Sequence, residues 1–340
     1  MSLSAEATKN IQDTLDKTTD PNGEGQVPGL VFAAIDKNGK YLAKAASGRR
    51  AGNAKADLDT VFWIASCTKM ITGIAALQLV EQGKLSLDDH ESLYKLCPEL
   101  KEKQVLEEGG KLVPRQGEIT IRNLLSHTAG FGYSFFNPKL RDYAYPTGWD
   151  EFSGDAKDYL EMPLVNQPNT RWEYGINIDW AGIAVERASG LSLDEYFKKN
   201  IFEPLGIQNI SFYPSQHMRE NLVQCHTRFG NKVIEIDHPA RRAIWHADTD
   251  KSKVMCTGGA GCFAKPVEYC RKCFWTIRPR ARYGHLKELA DVRDLEILAT
   301  LLNNGTSPTT GKQILKKETV DEMMRNQIEQ FPDFGRVPIP

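Results

Sequence analysis

The spacing of hydrophobic and polar positions changes several times along the chain, and each change marks an element. Residues 4 to 19 form an amphipathic stretch of helix length that runs into the breakers Asp20-Pro21-Asn22-Gly23, which predicts a terminal helix. Leu30-Val31-Phe32-Ala33-Ala34-Ile35 and Tyr41-Leu42-Ala43-Lys44-Ala45 flank Asn38-Gly39, a pair suited to the positive dihedrals of a tight hairpin, so two antiparallel strands are expected. From Thr68 to Gln82 the apolar Met70, Ile71, Ile74, Leu77 and Val80 recur at helical spacing, and Gly83 stands where the helix stops. The charged stretch Lys101 to Glu108 and the segment Ile119 to Leu125, a short strand or the start of a helix, read as surface elaborations. Residues 179 to 199 are helical by pattern, Pro204-Leu205-Gly206 closes that region, and Gly258-Gly259-Ala260-Gly261 marks a tight turn.

Composition narrows the class. With 340 residues, 41% of them hydrophobic, the chain can bury a full core as one large domain or two interleaved lobes. Lys and Arg (43) balance Asp and Glu (44), so no strong field points to nucleic acid or an anionic membrane, and small molecules are the expected partners. No apolar stretch approaches the roughly 20 residues of a membrane helix. The first ten residues lack the apolar run of a secretory signal, which makes a cytoplasmic location the expectation. The seven cysteines are an odd, scattered set and are expected to be mostly reduced. Cys270-Arg271-Lys272-Cys273 has no second ligand pair, and His285-Leu286-Lys287-Glu288 lacks the two-histidine spacing of a zinc protease, so no metal and no cofactor is inferred. The basic run Arg271 to Arg282 reads as a solvated face.

The candidate chemistry starts at Ser66-Cys67-Thr68-Lys69. At a helix start this S-x-x-K spacing puts the lysine amine on the same face as the serine hydroxyl, within reach of its proton. A serine needs such a neighbouring base, and a lysine serves only where desolvation or nearby positive charge lowers its pKa. Phe62, Trp63, Ile64, Met70 and Ile71 are the expected apolar setting. Alone, the spacing is unspecific. Tyr174-Gly175-Ile176-Asn177, on a turn before the next helix, offers a tyrosine able to relay a proton near a lysine; a buried tyrosine bonded to backbone is the competing reading.

These segments, with Leu124-Leu125-Ser126-His127-Thr128-Ala129-Gly130, Trp172-Glu173-Tyr174-Gly175-Ile176-Asn177-Ile178-Asp179-Trp180-Ala181-Gly182 and Gly258-Gly259-Ala260-Gly261, resemble the serine β-lactamase and penicillin-binding-protein superfamily, in particular its class C-like esterase and transesterase branch. The resemblance runs from about residue 26 to 269 and from about 297 to 335. It implies a single α/β, β-lactamase/transpeptidase-like domain: an antiparallel sheet of the N-terminal hairpin and C-terminal strands, flanked by helices, with a mostly helical lobe inserted. Residues 1–66 and about 225–340 would form the α/β lobe and about 67–224 the helical one, with the active site in a cleft between them. It further implies a nucleophile at Ser66, a base at Lys69, a proton-relay tyrosine at Tyr174, and substrate contacts from Tyr133 and Asn177, while His127 is structural.

Two departures accompany the resemblance. Residues 270–296 match nothing in the family and read as an atypical insertion, an unspliced intron or gene-model artefact. The family's third motif, a Lys/His/Trp-x-Gly triplet on a strand that donates one oxyanion-hole N–H, is not reached by Pro340, so a chain without it is expected to be poorly soluble or inactive. The expected reaction is acyl transfer from a small-molecule ester, thioester or amide through acyl-Ser66 to water or an alcohol, the acceptor deciding between hydrolase and acyltransferase. The rivals are a β-lactam hydrolase or peptidase and an inactive remnant that binds acyl ligands without turning them over.

Overall fold

The computed structural model describes residues 3–23, 27–36, 38–230, 232–269 and 297–332, which fall into two compact units. The segment 270–296, with the Cys-x-x-Cys pair, His285 and the basic run expected there, lies outside the described residues.

One unit comprises Met1–Trp63, Lys199–His238 and Phe263–Val320. Its first helix, α1 (Ala5–Thr19), starts at Ser4, whose hydroxyl accepts the Ala7 N–H at 3.1 Å. The expected hairpin follows as β1 (Gly29–Ile35) and β2 (Tyr41–Ala51), antiparallel with a bulge at Ala34/Ile35, and β3 (Ala54–Lys55) extends the sheet beyond β2. Asp36 shapes the hairpin turn by accepting the N–H groups of Asn38 and Lys40, and Gly39 takes φ +72°. Helix α1 is tied to β2 where the Gln12 amide donates to the Ala46 carbonyl and the Ser47 hydroxyl donates to Asp16. A second small sheet joins β4 (Phe62–Trp63), β5 (Ile210–Ser211) and β6 (Phe263–Ala264), with β6 central and antiparallel to both neighbours.

The other unit comprises Ile64–Lys198, Pro239–Cys262 and Asp321–Pro340. Its central element is α2 (Thr68–Glu81), where Ile71, Ile74, Ala75, Ala76 and Leu79 are fully buried. The sequence pattern suggested one apolar stripe, but this helix is buried on nearly every side. It ends as expected, with Gln82 as cap and Gly83 at φ +69°. Against it packs α4 (Asn177–Ser189), which packs in turn against α3 (Ile121–Leu125). Thr120 and Asn123 form a reciprocal capping box that starts α3.

Two expectations are corrected here. The segment Ile119 to Leu125 is core rather than surface, with Ile119, Ile121 and Leu124 fully buried, because α3 is a short helix whose positions 121 and 124 share the face turned to α4. Within the charged stretch, Leu106 is fully buried and Lys103 nearly so. The helical run at 179–199 is also broken: α4 stops at Gly190, left-handed at φ +74°, and Ser192 caps a new helix, α5 (Leu193–Phe197). No helix among the described residues is long and apolar enough to cross a membrane.

Candidate active site

The site begins with a backbone turn. Ala65 adopts φ +43°, a conformation that non-glycine residues rarely take and that clusters at functional sites. Ala65–Cys67 then forms a single 3-10 turn that feeds α2, leaving Ser66 exposed just ahead of the helix N-terminus. The glycine-rich turn is fastened to the same helix start, since the Thr68 hydroxyl accepts the Cys262 N–H at 3.1 Å and the Thr72 hydroxyl donates to the Gly258 carbonyl at 2.7 Å. Close approach explains the glycine: a Cβ on Gly259 would sit 2.4 Å from Asp179 Oδ2.

Lys69 reaches from the first turn of α2 into this setting. Its Nζ donates to the Gly259 carbonyl at 2.8 Å, to the Tyr133 hydroxyl at 3.1 Å and to Ser66 Oγ at 3.3 Å. The Tyr174 hydroxyl donates to Ser66 Oγ at 2.6 Å. Lys69 Nζ also lies 4.7 Å from the Tyr174 ring centroid and 5.5 Å from that of Tyr133. The setting of the amine is therefore tyrosine rings and a carbonyl; Ile71, expected to line it, is fully buried in the core. Tyr174 is not the backbone-bonded tyrosine of the competing reading, because its hydroxyl ends on Ser66.

The three acceptors use all three N–H bonds of a lysine ammonium. They are not equivalent. A carbonyl can only accept, whereas a hydroxyl can reverse and donate to a neutral amine. Burial holds the Tyr133 phenol well above its ordinary value, so it stays protonated. A proton given up by Lys69 thus leaves a lone pair that only the Ser66 and Tyr133 hydroxyls can meet, which makes proton exchange between Ser66 and Lys69 chemically available.

The residues around this group divide clearly. His127 is buried at φ +58°, its Nδ1 accepts the Gly175 N–H at 3.4 Å, and its ring lies 4.8 Å from that of Tyr174. Burial, then the Lys69 charge, push its pKa down from 6.5 to about 3, so it is neutral and supports the turn that carries Tyr174. Asn177 is fully buried at the start of α4, with Nδ2 turned to His127 Nδ1 (3.1 Å) and to the carbonyls of Phe131 (3.2 Å) and Glu173 (3.3 Å). Its NH2 group is used in closing that turn, its Oδ1 is buried without a hydrogen bond, and neither bonds to Ser66 or Lys69. Tyr133, expected to face substrate, is buried and bonded to Lys69.

Sequence reasoning did not single out Asp179. Its carboxylate is buried, with Oδ1 accepting the Gly259 N–H at 2.8 Å and Oδ2 without a hydrogen bond. Burial raises its pKa from 3.8 to about 6, against the opposing pull of Lys69. Gly259 thus links an acid on its N–H to a base on its carbonyl. The available signal was an acidic residue in the first turn of a helix, two positions after Asn177.

Known proteins share this arrangement's framework. The family described as Beta-lactamase matches residues 9–326. The chain is 34% identical over 264 residues to monacolin J acid methylbutanoyltransferase of Aspergillus terreus, covering 72% of this chain and 61% of that protein. It is 39% identical over 212 residues to lovastatin esterase of Penicillium rubens, covering 58% and 53%. Among solved structures, a simvastatin synthase variant from Aspergillus terreus superposes with a TM-score of 0.73 at 28% identity, covering 96% of this chain and 71% of that one. The chain spans 61% of the length of the first of these curated relatives. It has the β-lactamase/transpeptidase-like fold and belongs to the beta-lactamase family.

Proposed function

We propose that the chain is a serine esterase or acyltransferase that works through an acyl-Ser66 intermediate on a small-molecule ester or thioester. The observation that carries this reading is an exposed serine hydroxyl at a helix start, 2.6 Å from a tyrosine hydroxyl and 3.3 Å from a lysine amine. Lys69, as the neutral amine, takes the Ser66 proton while Oγ bonds to the acyl carbonyl carbon. The helix N-terminus favours the negative charge that develops at Oγ. The tetrahedral adduct then collapses, the bond to the leaving alcohol or thiol breaks, and the Tyr174 hydroxyl supplies the proton that the leaving group needs. In the second half water or an alcohol attacks the Ser66 ester and gives its proton to the deprotonated Tyr174 oxygen, the bond to Oγ breaks, and Lys69 returns its proton to Ser66. Tyr133 and Gly259 keep Lys69 aimed at Ser66 throughout.

Two relatives, a monacolin J acid methylbutanoyltransferase and a lovastatin esterase, are named for work on small-molecule esters, which supports that substrate class. The test is intact-protein mass after incubation with p-nitrophenyl butyrate or a butyryl thioester. A single acyl adduct is expected on the full chain, absent from Ser66→Ala and released faster when an alcohol acceptor is added to an acyltransferase. No adduct, or an adduct that persists in Ser66→Ala, overturns the reading in favour of a non-catalytic acyl-binding protein.

A further inference from the structure

Beside Lys69 opens a cavity of 480 Å³, within the range of small-molecule sites. Its lining includes Met70, Gly73 and Leu77 of α2, with Leu125, Ile178 and Met323 opposite. Positions 69, 70, 73 and 77 lie on one face of α2, so the cavity runs along the helix face that carries Lys69, the residue bonded to Ser66.

Gly73 is the telling residue. Glycine weakens a helix interior relative to alanine, and it is usually retained where packing leaves no room for a side chain. That is true on α4, where a Cβ at Gly182 would meet Leu193 Cδ2 at 3.0 Å and Gly258 Cα at 3.4 Å. It is not true at Gly73, whose Cβ would find nothing nearer than Met323 Cε at 3.8 Å. Packing does not demand this glycine; the space it leaves is the cavity.

Apart from Lys69, whose amine is turned to Ser66, Tyr133 and Gly259, the charges on the wall are already paired. Arg122 donates to Asp88 at 2.6 and 2.8 Å and to Glu322 and Gln327 at 2.6 Å each, and Arg325 donates to Glu322 at 2.8 Å. An apolar occupant suits such a wall better than an anion does.

We propose that this cavity binds the acyl chain of the substrate, and that Gly73 sets the chain length accepted. The inference rests on the acyl-Ser66 reading above. In that reading the leaving group must lie beside Tyr174, which supplies its proton. The acyl chain then extends to the other side, and Lys69, not Tyr174, lines the cavity. The substrate class is an ester or thioester of an aliphatic acid of several carbons.

The test is the ratio of kcat/KM for p-nitrophenyl hexanoate to that for p-nitrophenyl acetate, with Ser66→Ala as blank. Each methylene buried in the cavity is expected to raise kcat/KM by roughly fourfold until the space is filled, so the wild-type ratio exceeds about tenfold. Gly73→Leu from one wall and Met323→Trp from the other are expected to bring the ratio close to one, and Gly73→Ala, which favours the helix, to lower it partway. A wild-type ratio near one, or a wild-type ratio that survives in all three variants, overturns the inference while Ser66-dependent acetate turnover leaves the esterase reading standing. If neither ester is turned over and Ser66 resists a fluorophosphonate, that reading falls and takes the cavity assignment with it.

Discussion

Two lysines in the same compact unit, Lys103 buried and Lys69 half-buried, make similar contacts and differ in what accepts their hydrogen bonds. Lys69 and Lys103 each donate to a backbone carbonyl at 2.8 Å, and each lies over two aromatic rings, Tyr133 and Tyr174 for the first, Phe131 and Trp180 for the second. Lys103 is the more conspicuous by electrostatics, because burial lowers its pKa from 10.5 to about 8. Yet its hydrogen bonds run to the carbonyls of Leu160 and Met162, which can only accept. Lys103 pins the single backbone segment that carries Leu160 and Met162. Lys69 spends two of its three bonds on hydroxyls, and hydroxyls can return a proton. A perturbed pKa points to Lys103, whereas the chemistry of the acceptors points to Lys69 as the base of the proposed mechanism.

The contrast is sharpest in a crossed pair of variants. Lys69→Met is expected to slow acylation by roughly 1,000-fold, the middle of what a positioned base contributes, with a smaller stability loss of about 1 kcal/mol from the one carbonyl, that of Gly259, left unpaired. Lys103→Met is expected to do the reverse. It strands the buried Met162 carbonyl and the half-buried Leu160 carbonyl at a cost of about 2 kcal/mol or more, and leaves acylation within about threefold. Stopped-flow acylation rates and urea unfolding of both proteins give the four numbers, and equal kinetic losses would erase the distinction.

Asp179 provides the next largest effect. Its folded pKa is raised to about 6 from 3.8, so the folded state holds the proton more tightly. The stability it contributes is complete below pH 4 and lost as pH rises through about 6. That difference corresponds to at most about 3 kcal/mol. Asp179→Asn removes this slope, so its unfolding free energy should gain on that of wild type between pH 4 and 6. His127, depressed to about 3, has the opposite sign: its contribution is present above pH 6.5 and lost as pH falls. Subtracting the two unfolding curves at each pH isolates Asp179, and a flat difference would show that its carboxyl titrates as an exposed one does.

Smaller effects test the hydroxyls. Tyr174→Phe is expected to lower kcat for a poor leaving group by about 100-fold and less for p-nitrophenolate, which leaves without a proton. Tyr133→Phe should cost about tenfold, because Lys69 keeps Gly259 and Ser66 as partners. Equal losses with both leaving groups in Tyr174→Phe would remove it from proton delivery.

Much of this site was legible where it is local. Ser66 and Lys69 are three residues apart, and α2 announces itself by its apolar spacing and Gly83. The rest is held by long-range contacts. Tyr133 and Gly259 reach Lys69 across 64 and 190 residues, and no periodicity reports such a meeting. Asn177 could be recognised as part of a motif, but not that its amide is occupied by His127 and two carbonyls. Lys103 sits in a charged run whose pattern predicts solvent exposure, and only the carbonyls 57 and 59 residues away allow its burial.

The most direct measurement is the site and rate of fluorophosphonate modification in wild type, Lys69→Met and Lys103→Met. The peptide containing Ser66 should carry the only label, forming at the wild-type rate in Lys103→Met and roughly 1,000-fold more slowly in Lys69→Met. A label on another residue, or equal rates in the two lysine variants, would contradict the assignment of Ser66 and Lys69 as the reacting pair.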